Sequence, residues 1–250
     1  GGADLGLHIN GQPIPPWMSA YVRRGWQIDF RGQKSGCRAY LAVAGGIDVP
    51  PVLGSRSTYL RGGFGGQEGR ALKAGDVLLV AQDLGRGHLP ARAARELSRD
   101  PAQLTSLLPP YSDEPTVAVI PGPQREAFSA AGIEAFYGSQ YQVSPTADRM
   151  GYRLHGPTIG HQGPDPLPSA DIVSDGIALG AIQVPADRQP IVMMADRQTT
   201  GGYPKIGVVA SADIPVLAQC LPGKSSIRFR ECSLEEAQDR YRRLTRTLQA

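Results

Sequence analysis

The stretch "QPIVMMADRQTTGGYPKIGVVAS" (189–211) sets two short apolar runs, "PIVMM" and "IGVVA", on either side of a polar, Gly-rich segment. Apolar runs this short, rich in Val and Ile and bounded by Pro and Gly, read as buried strands. The same texture recurs in "TVAVIPG" (116–122), "YQVSP" (141–145), "SDGIALGAIQVP" (174–185) and "SIRFREC" (226–232). Short strands at such spacing, with turn residues between them, point to a barrel or sandwich. The fold class is therefore mainly β, with a few helices.

Working outward, "QREAFSAAGIEAFY" (124–137) reads as a helix after Pro123 that ends or kinks near Gly132. "ADIPVLAQCLPG" (212–223) reads as a short helix closed by Pro-Gly. Ser233 followed by Glu236 is a capping box opening a C-terminal helix. Leu234, Ala237, Tyr241, Leu244 and Leu248 share one stripe of that helix, suited to packing on its own lobe or on a partner. Upstream, "YVRRGWQIDF" (21–30), "CRAYLAVAGG" (37–46) and the buried-strand run "DVLLVAQ" (76–82) also read as β-structure. "RGGFGGQEGR" (61–70) is too glycine-dense for a strand or helix and reads as a loop. "ADLGLHINGQPIPPW" reads as a hairpin turning at Asn10-Gly11, entered midway, so an upstream part is expected to be missing. Residues 90–108 carry helix formers broken by Pro101, and "PPYSDEP" (109–115) is the best linker. The expected domains are an N-terminal lobe over 1–108, a linker over 109–115 and a C-terminal lobe over 116–250.

Composition bounds the function. With 250 residues, 41% hydrophobic and 20% charged, the chain has globular proportions, and a net charge of +3 gives no case for nucleic acid. Only four residues are lysine: Lys34, Lys73, Lys205 and Lys224. Three scattered cysteines without CxxC spacing argue against a disulfide framework and a zinc site, and fit a reducing cytoplasm. No run is apolar over the ~18 residues of a membrane span. His155 and His161 match no metal-ligand spacing, so no metal is expected.

The polar segment decides the chemistry. A phosphate loop would place its lysine after Gly and on a first helical turn. Here Lys205 follows Tyr-Pro and enters a strand, and Pro204 removes an N–H that a phosphate nest would use. The chemistry alone leaves two readings open. One is a plain hairpin with Gly201 and Gly202 at positive φ. The other is a loop at a barrel mouth, carrying donors for a carboxylate, amide or ureido oxygen. In "PTADRMGYRLHG" (145–156), Arg149 and Arg153 could clamp a carboxylate beside Tyr152, or the segment could be a solvated turn. Gln183 is a polar residue in an apolar strand and must find partners, in a site or in a structural network.

"CRAYLAVAGGIDVPPVLGSRSTYLRGGFGG", "DRMGYRLHG", "SDGIALGAIQVP", "PIVMMADRQTTGGYPKIG" and "CLPG…IRF" run in order to about residue 231. Together they resemble the family of the 5-oxoprolinase C component, also called KipA or allophanate hydrolase subunit 2. That family is similar to the carboxyltransferase domain of urea carboxylase. The resemblance implies two cyclophilin-like β-barrel lobes, the first of them incomplete here because the family's usual upstream segment is absent. It implies the C component of an ATP-dependent 5-oxoprolinase that opens 5-oxoproline to glutamate with A-type and B-type partners. The alternatives it implies are a biotin-dependent carboxyltransferase and a non-catalytic regulator that antagonises a KipI-like kinase inhibitor. ATP would be handled by a partner protein, and any carboxybiotin would be presented by a partner carrier domain. Carried onto this chain, the resemblance implies catalytic roles for Lys205, Tyr203 and Gln198. It implies substrate binding by Thr199, Thr200, Gly201, Gly202, Arg149, Tyr152, Ser174 and Gln183.

Overall fold

The computed structural model describes residues 1–81, 111–163 and 170–249. Two compact units divide them. One holds Gly1, Trp17–Trp26 and the described residues from Tyr40 to 81. The other holds Gly2–Pro16, Gln27–Ala39 and the described residues from 111 onward. The helix-former run 90–108 lies outside the described residues, as do residues 109–110 of the expected linker.

Seven strands of the second unit close into a barrel. They are β6 (Thr116–Pro121), β7 (Gln140–Val143), β8 (Gly151–His155), β10 (Ala181–Gln183), β11 (Ile191–Met193), β13 (Lys205–Val209) and β14 (Ser226–Glu231). Their order around the barrel is β10-β11-β8-β7-β14-β6-β13. Every pair is antiparallel except β14 with β6. β14 keeps the alternation its sequence promised, with Ile227 and Phe229 buried and Arg228 and Arg230 exposed. The core inside is Val, Ile and Leu with Tyr141, Tyr152, Phe136 and Phe229. The sequence reading of short strands forming a barrel holds for this half of the chain.

The helices differ in detail. Residues 124–137 split into a 3-10 turn at Arg125–Ala127 and a helix α1 (Ala130–Gly138). Ser129 breaks them, because its hydroxyl accepts the Gly132 N–H as an N-cap. Gly132 is therefore in the first turn of a new helix, not at a kink. Phe136 of α1 stacks on Phe229 with ring centres 4.5 Å apart. A short α2 (Ile214–Leu217) follows β13.

The capping serine opens α3 (Leu234–Gln249), accepting from Glu236 N at 3.2 Å. The stripe meets the barrel only in part. Ala237 packs against Ala118, Ala210 and Cys232 and Leu244 is half-buried, while Leu234 and Tyr241 stay about half exposed. Arg240 forks onto the buried Asp213 carboxylate. Leu248 lies outside the described side chains.

The N-terminal hairpin is as read: β2 (Leu7–Ile9) pairs with β3 (Gln12–Pro13), and Asn10 and Gly11 both have positive φ. β2 also pairs with β4 (Ile28–Phe30), and β1 (Gly2–Asp4) pairs with β5 (Ser35–Ala39). Gln219 grips β5 by its backbone: its Oε1 accepts from Cys37 N and Arg38 N at 2.7 and 2.8 Å, and its Nε2 donates to Arg38 O at 2.9 Å.

Among the described residues the first unit shows isolated bridges rather than strands, among them Ile47 with Val80, Val52 with Ser55, and Tyr59 with Phe64. The strands expected over 21–27, 40–46 and 76–81 do not form there. Val77, Leu79 and Tyr40 are well exposed, so these apolar runs lack the cover that a buried strand needs. The glycine-dense loop is nonetheless held in place, because the Arg70 guanidinium binds both Asp76 and Glu68. That contact holds the Asp76 carboxyl down at about 2.

Candidate active site

The polar segment after β11 neither forms a hairpin with β13 nor uses glycine for positive φ. Thr200–Gly201 (β12) pairs with Asp175–Gly176 (β9) as a separate two-stranded ribbon, with Gly201 opposite Asp175. Gly201 and Gly202 both have ordinary negative-side φ. Gly201 is required by contact: a Cβ there would lie 2.8 Å from Gln183 Nε2 and 3.1 Å from Ile177 Cδ1. The loop is tied to residues 172–177 by Ile172 N to Gly202 O (2.7 Å) and Ile177 N to Thr199 O (2.9 Å).

Behind this ribbon Lys205 opens β13 in register with Gln183 of β10. Its side chain is 4% exposed, and its ammonium donates to Asp175 Oδ2 at 2.7 Å. Asp175 is 51% exposed, so a buried cation meets a carboxylate half in water. The hydrogen bond from Lys205 holds the Asp175 carboxyl below the usual carboxylate range, and the Gly176 N–H adds to this. Gln124 braces both residues. Its Oε1 accepts from Lys205 N at 3.2 Å and its Nε2 reaches Asp175 Oδ2 at 3.5 Å. Gln124 comes this close because Gly122 precedes it: a Cβ on Gly122 would fall 2.1 Å from the Lys205 carbonyl oxygen.

The residues expected from the sequence separate into groups. Lys205, Gln183, Gly201, Gly202 and Ser174 gather at this end of the barrel, with Ser174 Oγ 4.0 Å from where a Gly202 Cβ would stand. Gln183 is buried and its amide points to the Tyr203 carbonyl at 3.5 Å. The Tyr203 ring is 40% exposed, and Gln198, Thr199 and Thr200 are on the same loop, largely open to solvent. Arg149 does clamp a carboxylate, but it is the protein's own Asp196, at 2.8 Å to each oxygen.

Tyr152 lies apart from this group. Its ring is sealed in the barrel core, and its hydroxyl is shared with Arg38 and the Ala218 and Cys220 carbonyls. Burial pushes that phenol's pKa up, against the opposing effect of Arg38. Asp175 and Gln124 are the residues the sequence reading missed.

Nothing in the cluster resembles a nucleophile with its base. Burial pushes the Cys220 thiol up to about 12, and the three cysteines are free. Among the described residues no three His, Cys, Asp or Glu side chains stand together as metal ligands. None of the described helices is long and apolar enough to cross a membrane. What remains is a set of donors, an ammonium and amides, suited to an oxygen on which negative charge sits or develops.

Known proteins share this sequence and fold. The family model of the carboxyltransferase domain, subdomain A and B, matches residues 1–231. The C component of the 5-oxoprolinase of Escherichia coli K12 is 40% identical over 216 residues, 86% of this chain and 63% of that protein. The urea amidolyase of Lachancea kluyveri is 36% identical over 95% of this chain and 14% of its own length. The crystal structure of the K. lactis urea amidolyase superposes with a TM-score of 0.80 at 29% identity, covering 99% of this chain and 15% of that one. The chain thus spans less than two thirds of the length of the bacterial relative.

Proposed function

This chain belongs to the carboxyltransferase-domain family, subdomains A and B, and on that premise we propose that it is the C component of an ATP-dependent 5-oxoprolinase. In this reading it opens the lactam of 5-oxoproline to glutamate together with A-type and B-type partners. The observation that carries the reading is the buried Lys205 ammonium, held at the barrel end with Asp175, Gln124 and Gln183 around it. A lactam carbonyl gains negative charge on oxygen as a water oxygen adds to its carbon; the C–N bond then breaks and the nitrogen takes a proton. A buried ammonium stabilises that charge far better than one in water. Lys205 Nζ donates to this oxygen, and the Gln183 amide and the loop hydroxyls of Thr199 and Thr200 orient the ring. The exposed Tyr203 ring covers the substrate and excludes water. In this reading the ATP is handled by a partner protein.

A second reading is carboxyl transfer to a small amide, favoured by the 36% identity to a urea amidolyase over nearly the whole chain. The same donors fit the ureido oxygen of biotin, with Lys205 and Gln183 as the residues that would hold it. When bound, carboxybiotin would supply the labile carboxyl group. One experiment separates the readings. The chain is assembled with its A-type and B-type partners, and glutamate formation from 5-oxoproline is followed with ATP, with and without avidin. ATP-dependent glutamate formation that ignores avidin supports the first reading. No glutamate, with avidin-sensitive carboxylation of a small amide instead, overturns it in favour of the second.

A further inference from the structure

Asp175 and Gln124 were not legible as functional residues, yet the structure builds both around Lys205. Asp175 sits at the edge of the β9–β12 ribbon opposite Gly201, and its carboxylate is the one partner of the Lys205 ammonium among the described residues. Gln124 reaches the lysine's backbone and the aspartate's oxygen with its two ends. Gly122 lets the 122–124 segment lie flat on the Lys205 backbone. β6 and β10, the strands flanking β13, bring no titratable side chain. The neighbouring 3-10 turn carries Arg125, which is paired with Glu231, and the exposed Glu126. Tyr203, on the lysine's own side, is exposed.

We propose that Asp175, braced by Gln124, is a positioning residue that fixes the aim of Lys205. The site then presents a cation whose counter-charge stands in water and can be displaced by an incoming oxygen. This deepens the function proposed above and rests on it for the reaction, but its physical half can be tested without any turnover. A side chain that loses its hydrogen-bonded anchor regains rotamer freedom and meets solvent more often. In Asp175→Asn, Lys205 should therefore be acylated faster than in the wild type at one fixed pH. Having only four lysines makes this measurable.

The full chain is acetylated with acetic anhydride at one fixed pH and the Lys205 peptide is quantified by mass spectrometry. Lys34, whose side chain is 65% exposed, serves as internal reference. The expected result is that Lys205 labelling relative to Lys34 rises about threefold or more in Asp175→Asn. Asp175→Glu should restore most of the protection. In the assembled complex, Asp175→Asn should cut kcat about tenfold or more with a smaller effect on KM, and Asp175→Glu should recover part of the loss. Gln124→Ala should lower kcat with little change in KM. Unchanged Lys205 labelling in a folded Asp175→Asn protein overturns the proposal. Raised labelling with unchanged kcat overturns its functional half. If the wild-type complex fails to turn over 5-oxoproline, the proposed reaction falls while the labelling result stands on its own.

Discussion

Two aspartate–cation pairs of the barrel unit are built in opposite senses. In the Asp213–Arg240 pair the acid is buried, at 7% exposure, and the base is partly in water. Asp213 Oδ1 and Oδ2 accept from Arg240 at 2.5 and 2.9 Å, and Oδ2 also takes the Ala118 N–H at 2.7 Å. The carboxylate is thus engaged at both oxygens, and the pair fastens α3 to the barrel. In the Lys205–Asp175 pair the base is buried and the acid stands half in solvent. Its ammonium has three donors and spends one on Asp175. A buried acid with both oxygens engaged makes an anchor. A buried base with donors to spare, facing an exposed acid, makes a place where another oxygen can bind.

Substitutions can break this contrast. The largest stability effect belongs to the anchor. Arg240→Met leaves a buried carboxylate with one N–H and should cost about 2–3 kcal/mol in urea denaturation, with turnover intact where the protein stays folded. Gly201→Ala should come next, because its Cβ would crowd Gln183 and Ile177. A loss of about 1–2 kcal/mol is expected, with a raised KM in the steady-state assay, since the ribbon must shift. Tyr152→Phe removes a hydroxyl held by Arg38 and two carbonyls. It should cost about 1 kcal/mol in thermal unfolding and leave kcat unchanged. A tenfold loss of kcat without loss of stability would return Tyr152 to the substrate site. The smallest effect belongs to Arg149→Gln, which breaks an exposed pair and should cost about 0.5 kcal/mol or less, with unaltered kinetics.

The loop "DRQTTGGYPKIG" stood out as a candidate site because a hairpin accounts for its glycines but not for its hydroxyls and lysine. Gln183 was legible because a buried amide in an apolar strand must have a partner. Asp175 and Gln124 were not, because each looked ordinary in its own segment, one a turn residue and the other a helix residue. Their meaning lies in contacts 30 and 81 residues away along the chain, and only barrel closure creates these. The C-terminal helix was legible in part for a related reason. Periodicity puts Ala237 on the packed stripe, but the tie from Arg240 to Asp213 depends on the closed barrel and not on that stripe. One of the two open readings made Gly201 and Gly202 turn glycines at positive φ, whereas neither adopts it and a Cβ on Gly201 would crowd Gln183.

The central claim is that Lys205 is the group that stabilises charge on the substrate oxygen. Lys205→Met keeps the buried stem and removes the ammonium. Its steady-state kcat in the assembled complex, measured as ATP-dependent glutamate formation beside a thermal melt, is the most direct test. A fall of about a hundredfold or more is expected, with an unchanged melting temperature. Wild-type kcat in a folded Lys205→Met protein would contradict the claim.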